Sequence, residues 1–218
     1  FGAMDSAYLF NGAEWIDLIP NFDENERSIS IWFSTSQNSA TGQPVLNNDY
    51  PTLSYGHTLI NIASNDGVNV AMGGLAGCIL GTDSLNTWNH AVLTRDNLLS
   101  TFYFNGVQIC ELPNDNSASV AALYSYLKLG GSRNLDNFYF GKIDDTGIWN
   151  RALTHCEVQD LYDANLNSTS SVSQNGPLLS AYQNGAAYQW LDCDNSNATI
   201  SGETNQTFTP AVTGNYSV

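Results

Sequence analysis

Glu14 and Asp17, in the run Glu14-Trp-Ile-Asp17, come nearest to a pair of carboxylates that could break a glycosidic bond. That chemistry needs two carboxyl groups flanking the bond, about 5–5.5 Å apart in retaining enzymes. On a strand, side chains share a face only when they are an even number of residues apart, so a spacing of three sends Glu14 and Asp17 to opposite sides. Asp144 and Asp145 are adjacent and diverge for the same reason. No Gly-x-Ser-x-Gly elbow presents a serine nucleophile, no glycine loop is built to cradle phosphate, and the three histidines are scattered. Cys-x-x-Cys pairs and histidines at ligand spacing, the marks of zinc, are absent. The residue types thus predict no catalytic residues and leave binding as the chemistry to look for.

A sugar site asks for an aromatic platform with polar neighbours. Trp32 is a candidate because Ser28-Ile-Ser-Ile-Trp-Phe-Ser34 alternates. Ile29, Ile31 and Phe33 share the apolar face, and Trp32 falls with the serines on the other. Trp15, Tyr50 and Tyr55 lie in or beside predicted loops and complete the set of candidate ligand-binding aromatics. His90, on a predicted strand after Trp88, reads as a structural residue.

The elements that must position these side chains are short strands. Phe102 and Phe104 precede Asn105-Gly106, the dipeptide best suited to positive φ at both centres of a two-residue hairpin turn. Turn clusters such as Asn47-Asn48-Asp49 and Asn65-Asp66-Gly67 punctuate the chain, and an all-β antiparallel sandwich follows. One helix is expected. Thr154-His-Cys-Glu157 has the capping-box pattern, and Val158, Leu161, Tyr162 and Leu166 fall on one face behind it. Asn167 to Pro177 is rich in Ser, Asn and Gly and reads as a linker.

Composition narrows the partners. Six Lys+Arg against 21 Asp+Glu give a net charge of −15 over 218 residues, which is no footprint for nucleic acid and is repelled by anionic membranes. No apolar run approaches the roughly 18–20 residues of a membrane span. Phe1-Gly-Ala-Met-Asp5 does not read as a signal peptide, since it has neither a basic n-region nor an apolar h-region. The ends at Phe1-Gly2 and Asn215-Tyr-Ser-Val218 read as cut from a longer polypeptide, with the first sandwich strand expected to be either missing or supplied from elsewhere.

Landmarks in order carry a resemblance: Ala7-Tyr-Leu-Phe-Asn-Gly-Ala-Glu-Trp-Ile-Asp17, Ser28 to Ser34, Thr87-Trp-Asn-His-Ala-Val-Leu-Thr94, the hairpin Thr101 to Ile109, Leu127-Lys-Leu-Gly-Gly131 and Phe140-Gly-Lys-Ile-Asp-Asp-Thr-Gly-Ile-Trp-Asn-Arg-Ala-Leu-Thr154. Together they resemble the concanavalin-A-like, laminin-G-type jelly roll of secreted bacterial surface proteins. Ala187-Tyr-Gln-Trp190 and the segments up to Tyr216 resemble part of an immunoglobulin-like repeat of Bacteroidetes-type secreted proteins, with Trp190, Phe208 and Tyr216 as its core aromatics. The implied organisation is a jelly roll over 1–167 with its short C-terminal helix, a linker over 168–176 and a partial Ig-like module over 177–218.

The resemblance also implies chemistry. Laminarinase-like relatives carry Glu-x-Asp-x-x-Glu or Glu-x-Asp-x-Glu on one strand, which Glu14-Trp-Ile-Asp17 does not match. Jelly rolls of this kind often hold a structural Ca²⁺, and the matching positions are Asn11, the Gly12 carbonyl and Asp144. Four cysteines permit three complete pairings, among which the sequence does not choose. Cys78 to Cys110 is the preferred bridge, both lying at expected strand ends. Cys193 is expected to pair beyond Val218, as such repeats carry a second cysteine in their last strand, and Cys156 is expected to be structural. The implied function is a non-catalytic extracellular binding or adhesion module that recognises a glycan or polysaccharide. The alternatives are an adhesive segment of a surface filament with protein partners, or an accessory module of a polysaccharide-degrading enzyme.

Overall fold

The computed structural model describes residues 7–18, 26–38, 41–47, 57–74, 77–113, 127–132, 135–166, 172–181, 185–195 and 198–218. Contacts divide the chain into two units, Phe1–Ala152 and Leu153–Val218.

The strands of the first unit are β1 (Tyr8–Asn11), β2 (Ile16–Leu18), β3 (Arg27–Thr35), β4 (Gln43–Asn47), β5 (His57–Ile62), β6 (Gly67–Gly74), β7 (Gly77–Thr82), β8 (Asn89–Arg95), β9 (Leu99–Phe104), β10 (Val107–Pro113), β11 (Leu127–Leu129) and β12 (Phe140–Trp149). They form two six-stranded sheets, in the orders β1-β12-β3-β8-β9-β10 and β2-β11-β4-β5-β6-β7. Every pairing is antiparallel, and the architecture is the expected antiparallel sandwich. The alternation in β3 works as read. Ile29, Ile31 and Phe33 are fully buried in the core, and Ile29 stands opposite Leu93 on one side and Ile148 on the other. From the second sheet the row Leu129, Leu46, Ile60, Val70 runs across four strands into the same core. Each such side chain contributes about 1.5–3 kcal/mol on full burial. The β9–β10 hairpin turns at Asn105 (φ 50°) and Gly106 (φ 78°), both positive as this turn type requires. Asn105 also accepts the His90 N–H at 2.8 Å and donates to Asn89 at 3.2 Å, tying the turn to β8. Cys78 is bonded to Cys110, so edge strand β7 of one sheet is linked to edge strand β10 of the other.

Trp32 departs from expectation. It does lie off the core face, but it is only 6% exposed, and its indole stacks on the His90 imidazole with ring centres 4.8 Å apart and planes within 16°. The register explains the contact, because Trp32 and His90 are direct neighbours across β3 and β8, and cross-strand aromatic pairs on one face close over each other. Ser30, Val92 and Tyr103 on the same face are buried as well. Trp32 is therefore removed from the set of solvent-facing platforms.

His90 has the structural role expected of it. Its Nε2 shares a 2.7 Å hydrogen bond with the Ser30 hydroxyl, and burial pushes its pKa down from 6.5 to about 4. Between these values the unfolded chain takes up a proton that the folded chain refuses. Stability is thus full above about pH 6.5 and falls as the pH drops toward 4, by on the order of 3 kcal/mol. In His90→Gln, which keeps a partner for Ser30, this loss should be missing. Denaturant titrations at about pH 7, 5.5 and 4.5 test it, and parallel pH profiles for variant and parent would refute the assignment.

The second unit holds α1 (His155–Leu166) and the strands β13 (Val172–Asn175), β14 (Leu178–Ala181), β15 (Leu191–Asp192), β16 (Ala198–Thr199), β17 (Thr207–Phe208) and β18 (Tyr216–Ser217). They make two three-stranded sheets, β13-β14-β17 and β16-β15-β18. The helix starts where its capping box places it. Glu157 N–H donates to the Thr154 hydroxyl at 3.3 Å, and Thr154 N–H donates to the Glu157 carboxylate at 2.8 Å. Trp190 is fully buried, donates to the Asn205 carbonyl at 2.9 Å, and lies 5.3 Å from Phe208, which is itself 5.3 Å from Tyr216.

Two expectations change here. Cys193 pairs with Cys156 and not with a residue beyond Val218, because the first turn of α1 lies against the 3₁₀ turn Cys193–Asn195 that follows β15. Part of the expected linker over 168–176 is ordered: Val172–Asn175 pairs with Leu178–Ala181 across a turn at Gly176 (φ 61°). Polar composition hid a hairpin whose two-residue turn, Gly176-Pro177 with glycine at the first central position, is its strongest local signal.

Candidate functional site

The expected metal ligands are not brought to one point. Asn11 stands opposite Phe140, whereas Asp144 lies four residues further along β12, opposite Trp32 on its other neighbour. Four residues of strand span about 13 Å, while Ca²⁺ requires each oxygen at roughly 2.3–2.6 Å. Asn11 and Asp144 thus stand apart on the β12 ladder. Among the described residues, no three His, Cys, Asp or Glu side chains converge in a way that could hold a metal. Gly12 has a different reason to be glycine: its φ is +86°, and a Cβ there would run into the Phe140 ring. Gly12→Ala should cost about 1–3 kcal/mol, read as a lowered thermal midpoint that added calcium does not restore. A midpoint within about 1 °C of the parent would contradict this.

Trp15 and Phe138 meet beside the β2 edge among polar side chains. Trp15 immediately precedes β2 and is 39% exposed. Its Nε1 donates to one oxygen of the Asp17 carboxylate at 3.2 Å, and the other oxygen takes a short hydrogen bond from the Lys128 ammonium. Asp17 and Lys128 are direct neighbours across β2 and β11, both turned away from a core that takes Ile16, Leu18, Leu127 and Leu129. The ammonium lies 5.9 Å from the centre of the Trp15 ring, a cation–π distance. Phe138 flanks the indole with ring centres 6.2 Å apart. Beneath it sits Gly131, where a Cβ would press on that of Trp15 at 2.8 Å.

The loop that brings Phe138 is held by its own hydrogen bonds. The Ser132 hydroxyl accepts the N–H groups of Asp136 and Asn137 at 3.1 Å each and donates to the Asp136 carboxylate at 2.6 Å. Thr41 donates to Asn137 at 2.9 Å. Gln43 accepts the Phe140 N–H at 2.9 Å and donates to the Gln37 carbonyl at 2.6 Å. The platform is thus preorganised on strands and a braced loop, the condition under which a binding site loses least entropy on occupancy.

Electrostatically the platform is a compensated pair. The hydrogen bond from Lys128, followed by that from Trp15 and the Lys128 charge, holds the Asp17 carboxyl below the usual carboxylate range despite slight desolvation. Asp17 is therefore an acceptor at neutral pH and not a proton donor. Glu14 is committed to the Asn11 N–H at 3.0 Å. Of the sequence candidates, Trp15 is at the platform, Trp32 is covered, and Tyr50 and Tyr55 lie outside the described residues. The sequence reading did not include Lys128, Phe138 or the placement of Asp17 beside Trp15. A signal for Lys128 was present, since Leu127-Lys-Leu129 alternates and turns the lysine outward.

The fold has counterparts among solved structures. No curated protein matches the chain. Among solved structures, the CBM40 of Ruminococcus gnavus IT-sialidase bound to α2,3-sialyllactose aligns with a TM-score of 0.59 and 15% identity, over 72% of this chain and 97% of that one. Domain 4 of AbnA, a GH43 extracellular arabinanase from Geobacillus stearothermophilus, in complex with arabinotriose, gives 0.56 and 22% over 74% and 78%. The binding domain of botulinum neurotoxin serotype D gives 0.58 and 14% over 84% and 57%. These identities establish a shared fold. The laminin-G-type model described as the concanavalin A-like lectin/glucanases superfamily matches residues 11–159, from the end of β1 through β12 into α1. With a match over more than half of the sequence, running through both sheets of the sandwich, the chain belongs to the concanavalin A-like lectin/glucanases superfamily.

Proposed function

We propose that the chain is a non-catalytic carbohydrate-binding module of an extracellular protein, with the sandwich as the recognition domain and the second unit as an Ig-like spacer. The observation that carries this reading is the half-exposed Trp15 indole between Phe138 and the Asp17–Lys128 pair. A pyranose or furanose ring presents C–H groups that pack on an aromatic face, and its hydroxyls both donate and accept. Asp17 offers an acceptor and Lys128 donors within reach of the same ring. Glycan complexes among the structures of similar fold support the reading, as does the domain of an arabinanase, which favours a place beside a polysaccharide-degrading enzyme. Two disulfides fit an oxidising compartment, and no described helix is long and apolar enough to cross a membrane. Asp17, held ionised, does not suit the protonated carboxyl that glycoside hydrolysis needs.

A screen of glycans and polysaccharides against the chain, run with calcium and again with a chelator, tests the proposal. Saturable binding that survives the chelator is expected. Silence across the screen with a folded protein would remove the carbohydrate reading and favour a structural segment with protein neighbours.

A further inference from the structure

We propose that the Trp15 platform selects neutral glycans and discriminates against acidic ones, such as sialylated or uronate-bearing sugars. This rests on the carbohydrate reading above and names the class of sugar that the site takes. The single cation described at the platform is already engaged: Lys128 donates to Asp17 and lies over the Trp15 ring. A sugar carboxylate could reach that ammonium only by drawing it from Asp17, leaving two like charges side by side. Glu14 and Asp136 add carboxylates in the flanking turns. The segments 11–18 and 127–138 carry three carboxylates against two cations, Lys128 and Arg133, the latter outside the described residues.

Beyond the site, a net charge of −15 repels anions during approach. A neutral sugar meets none of these costs. Its hydroxyls can donate to Asp17 and accept from Lys128 without breaking the pair, since a carboxylate has about four lone-pair sites and an ammonium three donors. The fold thus accommodates sialyllactose in a relative, whereas the charges of this chain point to a different ligand class.

Calorimetric titration of lactose and arabinotriose against α2,3-sialyllactose and trigalacturonate, at about 0.01 M and about 1 M salt, tests the inference. The screening length falls from about 30 Å to about 3 Å between these conditions. The neutral sugars should bind at least about tenfold more tightly than the acidic ones at low salt, with the gap narrowing at high salt. Asp17→Asn, which releases Lys128, should raise sialyllactose affinity relative to lactose by about fivefold or more. Acidic sugars that bind as tightly as neutral ones, or an Asp17→Asn ratio equal to the parent's, would overturn charge selection and leave the carbohydrate reading intact. No binding by any of the four would overturn both. Should Asp17→Asn fail to fold, the salt series on the parent chain decides alone.

Discussion

In Trp15→Ala the affinity for the bound glycan falls by about thirtyfold, roughly 2 kcal/mol, the scale on which buried tryptophan anchors contribute to binding. The fold survives, because the indole is outside the main core cluster and part of its surface is already in water. The variant loses the contacts with Phe138 and Lys128, about 1 kcal/mol of stability on the scale of single aromatic pairs. Trp15→Phe should keep an intermediate affinity, since it retains an aromatic face but loses the N–H that orients Asp17. Calorimetric titration alongside thermal melts separates binding from folding. Affinity within twofold of the parent in Trp15→Ala would show that the platform is not the site.

The second large effect lies in the unit Leu153–Val218. The Cys156–Cys193 bond closes a loop with a sequence separation of 37, worth about 4 kcal/mol on the chain-entropy model. A domain of about 60 residues buries only about 60% of its unfolded surface and is marginal without a staple. The described core of this unit is correspondingly small, centred on Trp190, Phe208 and Tyr216. In Cys156→Ser/Cys193→Ser this unit should unfold at or near 25 °C while the sandwich, which keeps Cys78–Cys110, remains folded. Hydrogen exchange resolved by segment would show protection lost across 172–217 and retained in β3 and β8. Unchanged protection in both units would mean that the small core suffices by itself.

These expectations draw on different levels of the molecule. The strand faces of β3, the I′ hairpin at Asn105-Gly106 and the cap at Thr154 follow from period, turn chemistry and side chain–backbone hydrogen bonds within a few residues. Such local preferences are consistent with the final packing and are therefore legible before it. The strand Val172–Asn175 was not legible within the expected linker over 168–176 because a short polar hairpin buries little and leaves almost no apolar pattern to read. The separation of Asn11 from Asp144 was not legible because adjacency of motifs says nothing about the number of residues that separate them along a ladder.

The sequence by itself determined an all-β sandwich, the core face of β3, the helix cap and the direction in which Trp32 points. Only the tertiary structure decided which outward aromatic remains bare. Alternation assigns a face and not its cover: Trp32 is closed off by His90 from a strand 58 positions away, whereas Trp15 stands at a sheet edge with solvent beside it. The Asp17–Lys128 pair, separated by 111 residues, exists because sheet order places β11 next to β2. That order is set by how the two sheets close over one core, a global constraint that no local spacing encodes.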